Sequence, residues 1–430
     1  MSNGERINDK NLTKAWTVWG IASFFYLYEM VLRVSPSVMT NEMMVSFNAT
    51  TTMLGVLVSF YYYAYTLFQL PCGFVLDRIG PRNLLGVSTV LCGIGALIFA
   101  HTEHLYVAEI GRFLIGAGSA CAFISSLHVA SVMFPAKYFV TLAGATNMMG
   151  TLGGLFGELP VAKLVNTIGW RQSLYLFAIL GFVLLILILA FIPKNEPKVK
   201  ASKKKGYSES ITATIVVVAK NKQILFSAIV AALMYLPIAA FSELWAVPFF
   251  MSKCGVNNEV ASIVSSALFI GVAVGSVLLA MVARKWNSYM KVIKLSAVMI
   301  SLLFVLLIYT DVGLYASYAI VFTIGIFTGA QVINFTCVRN NSTGETLGAA
   351  LAWTNAIIMF VGSIFQSSLG YLLDLFWNGC FSEGGTRVYD VVCYRKSFVV
   401  LPLAVLVAYV VALLVKETIG EGTEERISRK

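Results

Sequence analysis

The ten residues GFVLDRIGPR, Gly73–Arg82, lie between two long apolar runs and have the composition of a tight turn between helices. A glycine–proline pair favours a turn, and one aspartate with two arginines supplies charges that can pair or cap helix ends. Gly73, one helical turn before the aspartate, leaves room for a neighbouring helix. A merely basic loop would not require this order of residues. The positions that define the pattern are Gly73, Asp77, Arg78, Gly80 and Arg82.

The chain on both sides of this turn is apolar over lengths that cross a bilayer. Of its 430 residues 58% are hydrophobic and only 12% are charged, whereas soluble domains carry about 25% charged residues. A run of about 20 apolar residues spans the hydrocarbon core. The predicted spans are residues 16–38, 52–74, 83–100, 105–129, 138–162 and 170–193, then 223–251, 258–283, 290–310, 313–337, 345–373 and 396–416. We predict an all-α integral membrane protein with twelve transmembrane helices in two bundles of six.

A polar segment divides the two bundles. It contains KNEPKVKASKKK and is too charged to be buried and too short to form a second domain. The predicted organisation is a cytoplasmic N-terminal tail (1–15), a first bundle (16–193), a basic cytoplasmic linker (194–222), a second bundle (223–416) and a cytoplasmic tail (417–430).

The positive charges predict the orientation, because cytoplasmic loops carry the excess of lysine and arginine. With the N-terminus inside, six of the 31 lysines and arginines face outward, and most of the others face the cytoplasm. The outward six are Lys163, Arg171, Lys253, Arg387, Arg395 and Lys396. Both termini are then cytoplasmic, and the net charge of +10 suits anionic lipid rather than nucleic acid. We expect a multi-pass protein of a bacterial inner membrane whose first span stays as the insertion signal.

The cysteines give one structural hypothesis. Cys72, Cys92, Cys121 and Cys337 fall in or beside spans without the spacing of metal ligands, which favours simple packing. Cys380 and Cys393 fall in the predicted outer loop, where an oxidising compartment would allow a disulfide. A bridge and two free thiols are both compatible with the sequence.

A weak internal repeat relates the two bundles, as in transporters that are built of two similar units. Thr146, Asn147, Gly154 and Glu158 in span five match residues of span eleven at a constant offset. Their partners are Thr354, Asn355, Gly362 and Gln366.

The turn resembles the signature G-x-x-x-D-R-x-G-x-R of the major facilitator superfamily, and RFLIGAG in span four is similar to the family element at Arg112, Gly116 and Gly118. The resemblance implies two six-helix bundles around a central cavity that opens alternately to each side. It also implies that Gly73, Asp77, Arg78, Gly80 and Arg82 belong to a cytoplasmic gate. The connection after span eight keeps only Gly275 and Arg284, and span five lacks the Gly-Pro pair that is typical of proton antiporters. The missing Gly-Pro pair favours uptake over export.

Ionisable residues inside a membrane usually face a cavity or a partner, because their burial costs about 2.5–3.5 kcal/mol on insertion scales. Glu29, Arg112 and Glu243 are the candidate proton-coupling residues, since the resemblance places spans one, four and seven around the cavity. Arg112 could instead form a structural ion pair, and Glu243 could lie at the outer interface. The candidate substrate-binding residues are Arg33, Tyr26, Tyr28, Asn334 and Gln331. Glu158, near the outer end of span five, is a weaker candidate.

Glu29 and Arg33 are four residues apart in YLYEMVLR and therefore lie on one helical face. One hypothesis is a self-neutralising pair that allows the span to insert. The other is a switch in which Arg33 attracts an anionic substrate and releases Glu29 to bind a proton.

These observations predict a secondary active transporter that takes up a carboxylate-bearing metabolite or siderophore with protons, in common with the anion-transporting branches of the family. An exporter of drugs or metabolites by proton antiport and a transport-inactive membrane sensor are the alternatives. An enzyme is not expected, because the sequence has no phosphate-binding loop and no metal-spaced His/Cys set. We expect no cofactor, no catalytic or metal-binding residue and no nucleic-acid partner, and the resemblance implies a monomer.

Overall fold

The computed structural model describes residues 9–194, 211–343, 346–382 and 385–416, and this part of the chain is almost entirely helical. Twelve long helices follow one another, and we number them α1 to α12. The first six are Leu12–Val38, Thr51–Leu76, Arg78–His101, Leu105–Met133, Ala136–Ile168 and Trp170–Phe191. The second six are Lys222–Cys254, Asn258–Lys285, Tyr289–Tyr309, Leu314–Asn340, Leu347–Leu375 and Val391–Ala412. The prediction of an all-helical membrane fold is confirmed.

Eleven of these helices in the described residues are long and apolar enough to cross a membrane by length and composition. The exception is α5, which is 33 residues long but rich in glycine, threonine and asparagine. Small residues let helix backbones approach closely in a membrane. Accordingly, a Cβ at Gly153 would lie 2.5 Å from the Leu27 carbonyl oxygen of α1.

The turn between α2 and α3 depends on one glycine. Helical hydrogen bonding continues almost without interruption, but Gly80 has φ 74° and ψ 161°, outside the helical region. Glycine adopts a positive φ without the steric cost that a Cβ imposes. The predicted turn at Gly80 is confirmed.

Two helices depart from α geometry in their middle. In α7, Pro237–Trp245 forms a nine-residue π-helix, and in α10, Gly329–Val332 is a 3-10 helix. Proline removes a helical hydrogen bond, and π-helical segments occur frequently at functional sites.

The linker differs from its prediction. Ile211–Lys220, inside the expected polar segment 194–222, is a helix whose sequence is ITATIVVVAK. Its Val218 is buried against Ile224, Val338 and Ala350 of the second bundle. An apolar helix gains stability by covering such a cluster, so this part is packed structure rather than a linker. Residues 195–210, the tail residues 1–8 and the tail 417–430 lie outside the described part.

The repeat-related glycines both lie at helix contacts. A Cβ at Gly154 of α5 would lie 2.6 Å from the Phe269 ring of α8, whereas a Cβ at Gly362 of α11 would lie 3.0 Å from the Ala239 Cβ of α7 and 3.7 Å from the Tyr62 ring of α2. Gly154 thus lies where α5 meets the opposite bundle, and Gly362 lies where α11 contacts a helix of each bundle.

We call the end of the molecule that holds the start of α1 and the end of α12 the proximal face, and the opposite end the distal face. Hydrogen bonds join the bundles near the distal face. Asn258 donates to the Val38 carbonyl at 2.8 Å, Asn166 donates to Glu259 at 3.0 Å, and Ser59 donates to the Ser363 carbonyl at 3.0 Å.

The cysteine hypotheses require correction. Cys72 of α2 and Cys121 of α4 are joined in a disulfide, although the sequence favoured simple packing for both. Cys380 and Cys393 are free thiols. Cys393 is buried at the start of α12 and donates to the Phe376 carbonyl, whereas Cys380 is exposed, so the two side chains have different surroundings.

Candidate functional site

A buried ion pair joins the two bundles at the centre of the molecule. Arg33 of α1 donates from Nε to Glu243 Oε2 of α7 at 3.1 Å, and the two side chains are 4% and 0% exposed. The Tyr62 hydroxyl of α2 bonds to the same carboxylate oxygen. Nη2 of Arg33 donates to the Tyr235 hydroxyl at 3.0 Å.

This pair corrects two expectations. Glu243 is not at an interface, because it lies fully buried in the π-helical segment of α7. Glu29 is not the hydrogen-bonded partner of Arg33, because its Oε2 accepts instead from the Tyr61 hydroxyl at 2.7 Å. Spacing along α1 puts Glu29 and Arg33 on one side of that helix, but the other bundle supplies the carboxylate that Arg33 binds.

Aromatic rings surround the guanidinium group of Arg33. Its central carbon lies 4.9 Å from the Tyr62 ring centroid and 5.8 Å from those of Tyr61 and Tyr235. Tyrosine rings attract cations through their π faces, and the attraction is stronger where water is excluded. Arg33 is therefore held charged by one carboxylate and three rings.

Arg112 of α4 is a second buried cation beside this cluster. Nη1 donates to the Leu32 carbonyl of α1 at 2.9 Å, and the guanidinium lies 5.1 Å from the Tyr61 ring centroid. Among the described residues, its Nε and Nη2 have no hydrogen-bond partner. The ion pair that the sequence allowed for Arg112 is not seen in the described part, and the N–H groups of Nε and Nη2 stay available to a ligand.

Glycines in α4 position this region. A Cβ at Gly116 would lie 2.8 Å from the Tyr61 Cα, so only glycine lets α2 approach α4 here. That approach brings the Tyr61 hydroxyl to Glu29. Gly116 of the family element in α4 is therefore needed for the close packing of α2 on α4.

The two tyrosines next to Glu29 have different surroundings. The Tyr26 ring packs on Phe123 with centroids 5.3 Å apart. Tyr28 is buried in the first bundle, and its hydroxyl donates to the Phe177 carbonyl of α6 at 2.9 Å. The substrate role of Tyr28 stays a prediction, and in this arrangement its hydroxyl is bonded within the first bundle.

Asn334 and Gln331 of α10 stay predictions as substrate contacts. Asn334 is fully buried and donates to the backbone carbonyl of Gln331 at 3.2 Å. No hydrogen bond in the described part of the chain joins either side chain to Arg33 or Glu243.

The predicted gate residues lie at the proximal ends of α2 and α3. The Arg78 guanidinium lies 3.8 Å from the Phe74 ring centroid, and Arg82 donates to the Leu189 carbonyl of α6 at 2.6 Å. The side chain of Asp77 lies outside the described part. Gly73 lines a cavity of about 310 Å³ with Leu76, Ile124, Leu127, His128, Ser131 and Phe139.

Gly73 has no helix against it, contrary to expectation. A Cβ at this position would meet no described atom within 4 Å. The close approach that the sequence predicted there is absent in the described arrangement.

The sequence missed Tyr62 and Tyr235, which complete the surroundings of Arg33. Tyr62 belongs to the run YYYAY, for which packing was the general expectation. No periodicity distinguishes the tyrosine that faces the centre from its neighbours in such a run. In the described part, no group of three or more His, Cys, Asp or Glu could hold a metal ion.

A helical membrane protein whose two bundles meet around buried charges has the architecture of a solute transporter. The model of the Major Facilitator Superfamily matches residues 18–367. The chain belongs to this superfamily, whose members are membrane transporters and not enzymes.

Curated relatives match over part of their length. The probable sulfoacetate transporter SauU of Cupriavidus necator is 26% identical over 182 residues, which cover 42% of each chain. The hexuronate transporter of Bacillus subtilis is 25% identical over 265 residues, or 58% of this chain and 60% of the relative. The chain thus spans about half the length of these relatives.

Solved structures match the whole fold. A bacterial homologue of the human lysosomal transporter Spinster, in an inward-facing and unoccupied conformation, superposes with a TM-score of 0.74 at 15% identity. The match covers 94% of this chain and 97% of the other.

Proposed function

We propose that this protein is a secondary transporter that takes up a small organic anion together with protons. The observation that carries the proposal is the buried Arg33–Glu243 pair between the bundles. The relatives named as transporters of sulfoacetate and of hexuronate, both carboxylate-bearing anions, support the substrate class.

Arg33 would bind the substrate carboxylate. A carboxylate is the same chemical group as its present partner, so an anion that enters the centre can replace Glu243 on the guanidinium. Arg112 lies beside the Tyr61 ring and would offer the N–H groups of Nε and Nη2 to a second acidic or hydroxyl group. Two cations separated by tyrosine rings suit a dianion or a sugar acid.

Release of Glu243 would couple binding to a proton. A buried carboxylate that loses its cation becomes costly unless it is protonated. Glu243 would therefore bind a proton when the substrate occupies Arg33. Glu29 would gain and lose a proton of its own, with the Tyr61 hydroxyl as its hydrogen-bonded neighbour. This replaces the hypothesis in which Glu29 was the partner that Arg33 releases.

The pair also links substrate to movement. Arg33 belongs to the first bundle and Glu243 to the second, so their bond holds the bundles together at the centre. Substitution of the substrate for Glu243 removes that link and lets the bundles rock around the site. The proximal face would be cytoplasmic, since most lysines and arginines lie there.

Transport into proteoliposomes tests the proposal, with sulfoacetate and glucuronate as probes and an imposed pH gradient. Arg33→Ala should reduce binding and uptake about 30-fold or more, because truncating one partner of a buried, hydrogen-bonded charge pair costs about 2–5 kcal/mol of binding free energy. Glu243→Gln should still bind the anion but should lose the dependence of uptake on the pH gradient.

A purely structural pair predicts a different pattern. Both single variants would then lose thermal stability together, and the double variant Arg33→Leu with Glu243→Leu would restore full transport. That restoration would contradict the proposal, as would pH-driven uptake by Glu243→Gln.

A further inference from the structure

A second buried carboxyl lies in the distal part of the seam between the bundles. Glu158 is in the distal third of α5 and is fully buried. One turn before it, Gly154 faces the Phe269 ring of α8, and the neighbouring Gly157 packs on Val34 of α1. The carboxyl is thus enclosed where α5 meets α8.

The polar groups around Glu158 are neutral hydroxyls. Ser265 of α8 donates to Oε1 at 2.9 Å, and Ser242 of α7 lies 2.9 Å from the Ser265 hydroxyl. Ser37, in the last turn of α1, lies beside it. Oε2 has no hydrogen-bond partner among the described residues.

The charged groups on the surrounding helices bind other partners or are exposed. Arg33 of α1 and Glu243 of α7 bind each other. On α8, Glu259 is partly exposed and accepts from Asn166; on α5 itself, Lys163 is exposed. No salt bridge to Glu158 is formed in the described part of the chain.

The free energy of burial favours the protonated, neutral state of the Glu158 carboxyl. An ionised carboxyl without a cation is expensive in a dry seam, whereas the neutral acid needs only hydroxyl partners. Serine hydroxyls can donate or accept, so they satisfy the protonated group in either orientation. The repeat-related position carries Gln366, a permanently neutral group whose Nε2 donates to the Ala239 carbonyl at 2.6 Å.

We propose that Glu158 is a proton-binding site of the distal seam, separate from the central charges, and that the seam closes only when Glu158 holds a proton. When α5 and α8 separate, water reaches the carboxyl from the distal face and the proton can leave. The ionised group then opposes closure. The proton regulates the gate and does not need to cross the membrane.

This role is independent of the substrate class, so its test measures the seam itself. Nitroxide labels at Val45→Cys and Tyr315→Cys, both exposed on the distal side of different bundles, report the separation by pulsed electron paramagnetic resonance. The background carries Cys254→Ser and Cys380→Ser. Spectra are recorded between about pH 5 and pH 9, a range in which buried carboxyls titrate.

The short-distance population should fall as pH rises in the otherwise unmodified protein and should stay high at every pH in Glu158→Gln. The matched control is Glu259→Gln, which removes a partly exposed carboxyl from the same seam and should leave the pH response intact. An unchanged pH response in Glu158→Gln, or its loss in Glu259→Gln, would overturn the proposal.

A measurement on the unmodified protein covers the case in which Glu158→Gln does not fold. Dicyclohexylcarbodiimide reacts with protonated carboxyls in apolar surroundings, and peptide mass spectrometry locates the adduct. Glu158 should be modified at low pH, with a yield that decreases as pH rises. An adduct yield at Glu158 that stays constant across the pH range would contradict the titration of this carboxyl.

Discussion

The distal and proximal ends of the same helices use glycine in opposite ways. In the distal part of α2, a Cβ at Gly55 would lie 2.9 Å from the Gln366 carbonyl oxygen of α11. In the proximal part of α2, a Cβ at Gly73 would meet no described atom within 4 Å. The helices α5 and α11 repeat the contrast, with open positions at Gly144 and Gly348 and tight ones at Gly154 and Gly370.

This contrast identifies the state of the molecule. The distal seam is closed by backbone contacts at glycines and by a few hydrogen bonds, whereas a Cβ at Gly73, Gly144 or Gly348 on the proximal side would meet no described atom within 4 Å. Small residues at helix contacts allow close approach, so the proximal glycines mark where the bundles would meet in the opposite state.

The largest change in distal closure should come from a methyl group added at Gly55, where α2 contacts α11 tightly. Gly55→Ala should destabilise the closed distal seam by about 1–3 kcal/mol, because overpacking forces backbone shifts. That corresponds to about a 5–150-fold change in the closed-to-open ratio. The Val45–Tyr315 label distance measures this ratio.

Gly73→Ala is the matched control on the same helix. It should leave the distal distance distribution unchanged or shift it further toward closure, because its methyl group would obstruct only the opposite state. Equal effects of the two substitutions would contradict the idea that the two ends alternate.

A smaller effect is expected from the polar latch at the distal ends of α2 and α11. Asp374 accepts from the Thr52 backbone N–H at 2.8 Å, from Arg387 at 3.0 Å and from the Tyr389 hydroxyl. Burial and the bond to Asp374 raise the pKa of Tyr389 to about 12, so this hydroxyl keeps its proton and donates.

Asp374→Asn should weaken distal closure by about 1 kcal/mol, since hydrogen bonds to a charged group are worth about 1.5–3 kcal/mol and partial exposure reduces that value. The label distance again provides the measurement. Arg395→Gln breaks the Asp311–Arg395 pair, which lies within the second bundle, and should change nothing. A shift in that variant equal to the shift in Asp374→Asn would show that distal surface charge, not the latch, controls closure.

The smallest perturbation tests which face is outside. Cys380 is exposed on the distal side, Cys254 is half-buried there and Cys393 is buried, so in a Cys254→Ser background a membrane-impermeant maleimide should label Cys380 alone in intact cells. Cys380→Ser should abolish labelling without changing uptake. Labelling only after the membrane is opened would place the distal face inside and reverse the proposed direction of closure.

Local features explain what could be predicted from the sequence. The spans follow from apolar length, which depends only on residues that are adjacent in the chain. Gly80 was predictable for the same reason, because a turn needs only its own backbone. Partner choice was not: Arg33 and Glu243 are separated by 210 positions, and Glu29, four residues away, was the obvious but incorrect candidate.

The sequence by itself determined a twelve-helix membrane protein, its division into two related bundles and the short set of ionisable residues inside the membrane. These depend on composition, length and spacing, which act locally along the chain. Only the tertiary structure decided that Arg33 binds Glu243, that Tyr61 holds Glu29, that Tyr28 packs away from the centre and that Glu158 is enclosed in the distal seam. Those facts depend on how two separately inserted bundles face each other, because a buried charge binds whichever partner the opposing surface brings within about 3 Å.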